Sequence, residues 1–382
     1  MTKHLAVLAL AAAALAGCEP DRGVTNPAAA IAASRQAGDD ATDDFDGPRA
    51  VYTLTNQSSG NAVAVFTRAS DGTLTPAGTF ATGGTGTGAG LGSQGAVVLS
   101  ADGLRLFAIN AGSNDVSVFN VTATGLSLAS RTPSGGTLPI SITTSDNVVY
   151  VLNAGGAGNI TGFRLDRTGG LTPLPSSTRT LSGAATNPAQ VSFSPDGGRL
   201  VVTEKATNLL DAYPVSANGI AGPPSTLTSA GGTPFGFAFG LHGVLFVSEA
   251  AAPGSVSSYI LGRSGRLQVV SGSVATHQVA PCWAVVTNDG RFGYTGNGAG
   301  SVSAFTIAPN GSISLLDADG ATAVISGGVN DIALSGNSRY LYVLQVGDAP
   351  AIHAFRVQQD GHLTPLGPVA GLPAGTRGLV AR

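Results

Sequence analysis

The chain has 382 residues, a formal net charge of −3, only 11% charged residues and 55 glycines. Lysine occurs at Lys3 and Lys205 alone, so the basic surface that nucleic acid binding needs is missing. The two cysteines are Cys18 and Cys282, and the first falls in a leader, so the folded part must be held by packing rather than by a disulfide.

Taken from the start, residues 1–18 read as a targeting segment. Lys3 and His4 precede the apolar run Leu5–Ala14, which is too short to span a bilayer. Leu15-Ala16-Gly17-Cys18 then resembles the lipobox of bacterial lipoproteins, which implies lipidation of Cys18 and a mature N-terminus there. Several acyl chains would hold the protein on a membrane, where one chain alone is marginal. Residues 19–48 hold Asp39, Asp40, Asp43, Asp44 and Asp46 with almost no large apolar residue, and read as a disordered acidic tether.

From residue 49 to 382 the chain repeats one unit. Its clearest copy is Pro281–Phe305: a short apolar strand, an Asp289-Gly290 turn, a second strand through Tyr294 to Asn297, and a third over Ser301–Phe305. A fourth follows the Asn310-Gly311 turn. Asp-Gly pairs at 102–103 and 196–197, with His242-Gly243 and Asn337-Ser338, repeat the first turn and predict two-residue hairpins. The second strand ends on a polar residue in every unit: Asn56, Asn110, Asn153, Glu204, Glu249, Asn297 and Gln345, at spacings of 43–54 residues. Third strands run over Ala62–Phe66, Val116–Phe119, Ile160–Phe163, Leu209–Tyr213, Val256–Tyr259, Val302–Phe305 and Ile352–Phe355, ending in an aromatic expected to pack between sheets.

Unit one lacks a first strand, and Gly375–Arg382 reads as a spare one. The prediction is an all-β fold, a seven-bladed β-propeller of four-stranded antiparallel blades closed by the C-terminal strand joining blade one.

The repeats Val191–Glu204, Val285–Asn297 and Ser338–Gln345 resemble those of the lactonase family of seven-bladed propellers and the related YVTN-type repeats, from Ala50 to Arg382. The family includes 6-phosphogluconolactonases and carboxymuconate cyclases, and the resemblance implies lactone chemistry without a required metal or other cofactor. Where members carry His-Pro-His before the fourth unit, this chain has Asn187-Pro188-Ala189. Where they carry Gly-Pro-Arg-His before the fifth, it has Thr233-Pro234-Phe235-Gly236. Gly298 replaces the arginine that follows the asparagine of the sixth unit, and the acidic residue of unit five is kept as Glu249. Hydrolysis of a lactone needs a base and a group that stabilises charge on oxygen.

Glu249 and Glu204 end equivalent strands of adjacent blades, expected near the channel mouth. They are either a carboxylate pair sharing a proton or caps that bond backbone N–H groups. Lys205 offers Glu204 an ion pair. Trp283 stands at the first strand of unit six, as a stacking surface for a ligand ring or as a plug between blades. Gln190, Asp331 and Arg377 are the expected channel-facing equivalents, and with Trp283 and Asn297 they make either a mixed polar lining suited to a small polar ligand or a set of groups bonded to buried water in a narrow channel. Cys282 as a nucleophile would need a base, and only His277 is near it in sequence. Gly83–Gly92 lacks the lysine and helix of a phosphate loop and reads as a flexible inter-blade loop. No His, Cys, Asp or Glu spacing indicates a metal site.

Two functions follow. One is an exported, lipid-anchored binding module of the cell envelope, monomeric, whose partner is a small polar ligand or an envelope protein and which meets the membrane only through its lipid. The other is a metal-independent lactone hydrolase using Glu249.

Overall fold

The computed structural model describes residues 49–262, 264–347 and 349–382. The leader, Cys18 and the tether lie outside the described residues. Seven antiparallel sheets follow one another, each with its first strand innermost and its fourth outermost. The innermost strands (Val97–Leu99, Pro139–Ser145, Pro188–Phe193, Pro234–Phe239, Pro281–Val286, Gly328–Leu334 and Arg377–Ala381) each touch the next around a closed ring. This is the expected seven-bladed propeller.

The hairpins between first and second strands of blades two, four and six are set by a Ser/Thr-x-Asp-Gly sequence, and that of blade seven by Ser335-Gly336-Asn337-Ser338. Ser100 Oγ donates to Asp102 Oδ1 (2.5 Å), which also accepts from Leu104 N–H (2.9 Å). Ser194 with Asp196 and Thr287 with Asp289 repeat it at 2.6 Å, and Ser335 with Asn337 at 2.9 Å. The expectation of two-residue hairpins is corrected. Ser100 pairs with Arg105, so four residues turn the chain. Only Gly103 takes a positive φ (66°), whereas the type I′ turn that an Asp-Gly pair favours requires one at both central residues.

Packing lies between blades rather than within one centre. The aromatics closing the third strands (Phe66, Phe119, Phe163, Tyr213, Tyr259, Phe305 and Phe355) are all buried, as the sequence led us to expect. Each joins a cluster drawn from two to four neighbouring blades. One example is Val201, Leu210 and Ala212 of blade four against Phe237, Val247 and Tyr259 of blade five. The outermost strands are exposed, and those of blades three and six are broken in two (Leu171–Pro173 with Arg179–Thr180, and Ile313–Leu315 with Ala323–Val324). Short, interrupted edges are poor templates for another chain. No helix among the described residues is long and apolar enough to cross a membrane.

Closure is made as predicted. Arg377–Ala381 pairs antiparallel with Val51–Leu54, Arg382 N–H donates to Ala50 O (2.9 Å), and Thr53 Oγ1 donates to Gly378 O (2.6 Å). Leu379 is buried at this junction, whereas Leu128 on an outer strand is 45% exposed. Leu379→Ala is expected to destabilise the protein by about 2–4 kcal/mol, against less than about 0.5 kcal/mol for Leu128→Ala. Urea midpoints of the two variants check the difference.

Candidate functional site at the channel mouth

Whereas Asn56 lies beyond its strand and turns to the linker entering blade two, in blades two to seven the polar residues that close the second strands face the seam with the preceding blade. Alternation along the strand dictates this, because Glu249 shares its side with Leu245 and Val247, which pack on blade four. Glu249 is fully buried. Its Oε1 accepts from Ser229 Oγ (3.0 Å) and Gly231 N–H (2.7 Å), and Oε2 accepts from Ser255 Oγ (2.6 Å). The fit requires glycine at 231, where a Cβ would stand 2.0 Å from Oε2. Glu204, also fully buried, accepts from Ser182 N–H (2.9 Å), from Ser182 Oγ and from Thr207 Oγ1 (2.6 Å). Asn297 Nδ2 likewise donates to Ser301 and Ser303 (3.0 and 2.9 Å). Thus the two glutamates sit in different seams, each held by its own linker, and the expectation that they border the channel is corrected.

Glu204 does have a carboxylate neighbour, one that the repeat pattern does not mark. Asp211, on the third strand of the same blade, points to the same side and is fully buried. Thr226 Oγ1 donates to its Oδ1 (2.6 Å), while Oδ2 has no hydrogen-bond partner. Burial and the charge of Glu204 raise the Asp211 pKa to about 6. Tyr213, two residues on, is buried with an unpartnered hydroxyl, and burial beside these carboxyls raises its pKa further still.

The channel residues bind one another. Gln190 accepts from Phe237 N–H (2.7 Å) and donates to Phe237 O (3.1 Å), joining blades four and five. Asp331 accepts from Ile332 N–H (2.8 Å) and Leu379 N–H (2.9 Å), joining blades seven and one; complete burial holds its pKa well above the usual carboxylate range. Gln94, which the sequence reading passed over, reaches across the ring. It donates to Ala284 O (2.8 Å) and accepts from Ala284 N–H (2.9 Å) in blade six. Beside it Trp283 Nε1 donates to Ser93 O (3.0 Å), and its ring meets Phe235 edge-on at 5.5 Å. Trp283, 5% exposed, is therefore a plug in this structure.

The glycine run between blades one and two is anchored. Asn56 Nδ2 donates to Ala89 O (2.8 Å) and Gly375 O (3.2 Å), Thr87 N–H donates to Asn56 Oδ1 (3.0 Å), and Gly86 N–H donates to Gln57 O (2.8 Å). Two cations reach this loop. Lys205 does not pair with Glu204; its Nζ donates to Gly92 O and lies 4.7 Å over the Phe235 ring. Burial lowers its pKa to about 8. Arg377 is half-buried, donates from Nη1 to Thr376 O (2.6 Å), and leaves Nε without a partner. Cys282 is buried beside Lys205 and its thiol is pushed up to about 12, so it is no ready nucleophile; His277 is exposed.

At the other end of the channel, cavities open. One of about 430 Å³ is lined by Gln190, Phe237, Ala284, Ile332 and Leu379. Another of about 660 Å³ lies among the turns of blades four to six, beside Arg199, Phe239, Leu241 and His242.

Comparison with known proteins supports the resemblance read from the repeats. Residues 46–184 match the family model described as Lactonase, 7-bladed beta-propeller. A candidate 6-phosphogluconolactonase of Bacteroides fragilis superposes with a TM-score of 0.71 at 20% identity, covering 89% of this chain and 99% of that one. A Lactobacillus plantarum protein gives 0.72 at 18% identity (88% and 99%), and the periplasmic gluconolactonase of Pseudomonas aeruginosa 0.69 at 16% (86% and 98%). At these identities the structures share the fold. No curated protein sequence matches.

The Asp211 geometry predicts an unusual pH dependence. A carboxyl whose pKa rises on folding from 3.8 to about 6 stabilises below pH 3.8, and that contribution is lost as pH climbs through 6. Asp211→Asn should therefore gain about 1–2 kcal/mol at pH 7.5 and little at pH 4.5. Equal effects on the urea midpoint at both pH values would refute this assignment.

Proposed function

We propose that this lactonase-type propeller is a binding module of the bacterial cell envelope, exported, anchored through lipid on Cys18, and carried on the acidic tether of residues 19–48. Its partner is a small polar ligand or an envelope protein received at the channel mouth. The observation that carries this reading is the state of Glu249. It is the one family acidic position kept in the chain, yet it is fully buried with both oxygens engaged. A base must reach the proton it removes. A carboxylate closed inside a seam has no path to a ring in the channel, and Gln94 and Trp283 bridge that channel just inside its mouth.

The second reading is a metal-independent lactone hydrolase. The match of residues 46–184 to the lactonase family model favours it, as does the shared fold with a protein described as a periplasmic gluconolactonase. Fold alone is a weak warrant for an activity.

The lipid-free mature chain, residues 19–382, is expected to leave a panel of simple lactones unhydrolysed beyond the rate with its Glu249→Gln variant. Turnover by the unsubstituted chain that disappears in a folded Glu249→Gln protein would replace the binding reading with the enzymatic one. The anchor is tested separately: Cys18→Ala should move the protein from the membrane fraction to the soluble fraction of its host.

A further inference from the structure

We infer that Lys205 and Arg377, with the glycine loop beside them, form a site for a small anion bearing a carboxylate or a phosphate at the channel mouth. The inference rests on the binding reading and gives it a ligand class. The first observation is proximity to a common element. Lys205 Nζ donates to Gly92 O, and a Cβ on Gly90 would stand 3.8 Å from Arg377 Nη2. The loop is held beside the Arg377 strand by Asn56, which donates to both Ala89 O and Gly375 O. Two cations from blade four and the closing strand are thus brought beside one short stretch, Gly90-Leu91-Gly92, in which Leu91 packs on the core and the two glycines leave backbone open.

The second observation is that neither charge is answered. Lys205 meets a carbonyl and an aromatic ring, and Arg377 meets only the Thr376 carbonyl. The carboxylates nearest in sequence or register are taken: Glu204 by Ser182 and Thr207, Asp331 by two backbone N–H groups. Arg131 and Arg291 stand near carboxylates (Asp115 at 3.8 Å and Asp289 at 3.9 Å), and Arg105, Arg164 and Arg179, which meet carbonyls or an amide instead, reach them from the surface. Partial burial of a cation without a counter-charge is unfavourable, and burial lowers the pKa of both groups. An anion between them removes that penalty through charge-assisted hydrogen bonds, bidentate on the guanidinium. Glycine at 88, 90 and 92 leaves no side chain to block its approach to the backbone.

The test is isothermal titration of the lipid-free mature chain with sodium gluconate, with inorganic phosphate, and with the neutral polyol glucitol at matched ionic strength. Gluconate, phosphate or both should bind with a Kd on the order of 0.1–1 mM, and glucitol should not bind. Whichever anion binds identifies the group recognised. Lys205→Met and Arg377→Met should each weaken binding at least tenfold. Gly90→Asp, whose position is exposed and away from the packed seams, should abolish it by supplying an internal carboxylate to Arg377. With the unsubstituted chain, affinity should fall as pH rises from 7 to 9.5, because Lys205 loses its proton; in Lys205→Arg it should stay level.

The inference fails if neither anion binds, if glucitol binds equally well, or if the anion binds folded Lys205→Met, Arg377→Met and Gly90→Asp with unchanged affinity. These outcomes do not depend on lactone turnover. Loss of the anion site and loss of the non-hydrolytic reading are therefore told apart.

Discussion

Everything in this molecule depends on the antiparallel join between Val51–Leu54 and Arg377–Ala381. A blade alone has two apolar faces, and each is buried only because another blade stands against it. In an open row the terminal blades would each present one such face to water, along with an unpaired strand edge. One strand from the far end of the chain removes both defects at once. It also imposes the longest loop closure in the chain, more than 300 residues, an entropic cost that grows only slowly with length.

The seams carry a second constraint, which is polar. From blade two on, each second strand ends in a side chain that would otherwise be a stranded hydrogen-bonding group; the linker entering the blade supplies partners to Glu204 and Glu249, and the third strand supplies those of Asn297. Asparagine and glutamate satisfy this requirement alike, which is why both occur at equivalent positions. The same geometry accounts for the difference between a carboxylate that structures a loop and one that meets a substrate. Glu249 has several donors within a seam and no open side, whereas Asp211 is left with an unpartnered oxygen and with Glu204 beside it.

The blade count, the strand order, the aromatic ends of the third strands and the closing strand were all legible in the sequence, because each is a repeated local signal. The turn length was misread: Asp102-Gly103 looks like a tight pair until the hydroxyl of Ser100 is seen to extend it. The candidate site was less legible. Period-two alternation tells which residues share a side but not which neighbouring blade that side meets, so Glu204 and Glu249 read as channel residues. Gln94 pairs with Ala284 across 190 residues, and Lys205 reaches Gly92 across 113. No spacing within one repeat announces contacts of that range. Trp283 could be read only as ligand platform or plug, and its indole N–H on Ser93 O decides between them in this structure.

The Gln94 amide has one more consequence. In most of the ring a blade is coupled only to the two beside it, so a fluctuation is passed from neighbour to neighbour. Gln94 and the Trp283 indole instead tie blade two to blade six along a chord, and Gln94 N–H on Ala189 O adds blade four. Three sectors of the circle are therefore braced at the hub, as spokes brace a wheel. Fraying at the rim of any one of them must either leave the hub intact or disturb the other two. The mouth where we place the anion thus lies beside this brace, which favours a site formed before its ligand arrives.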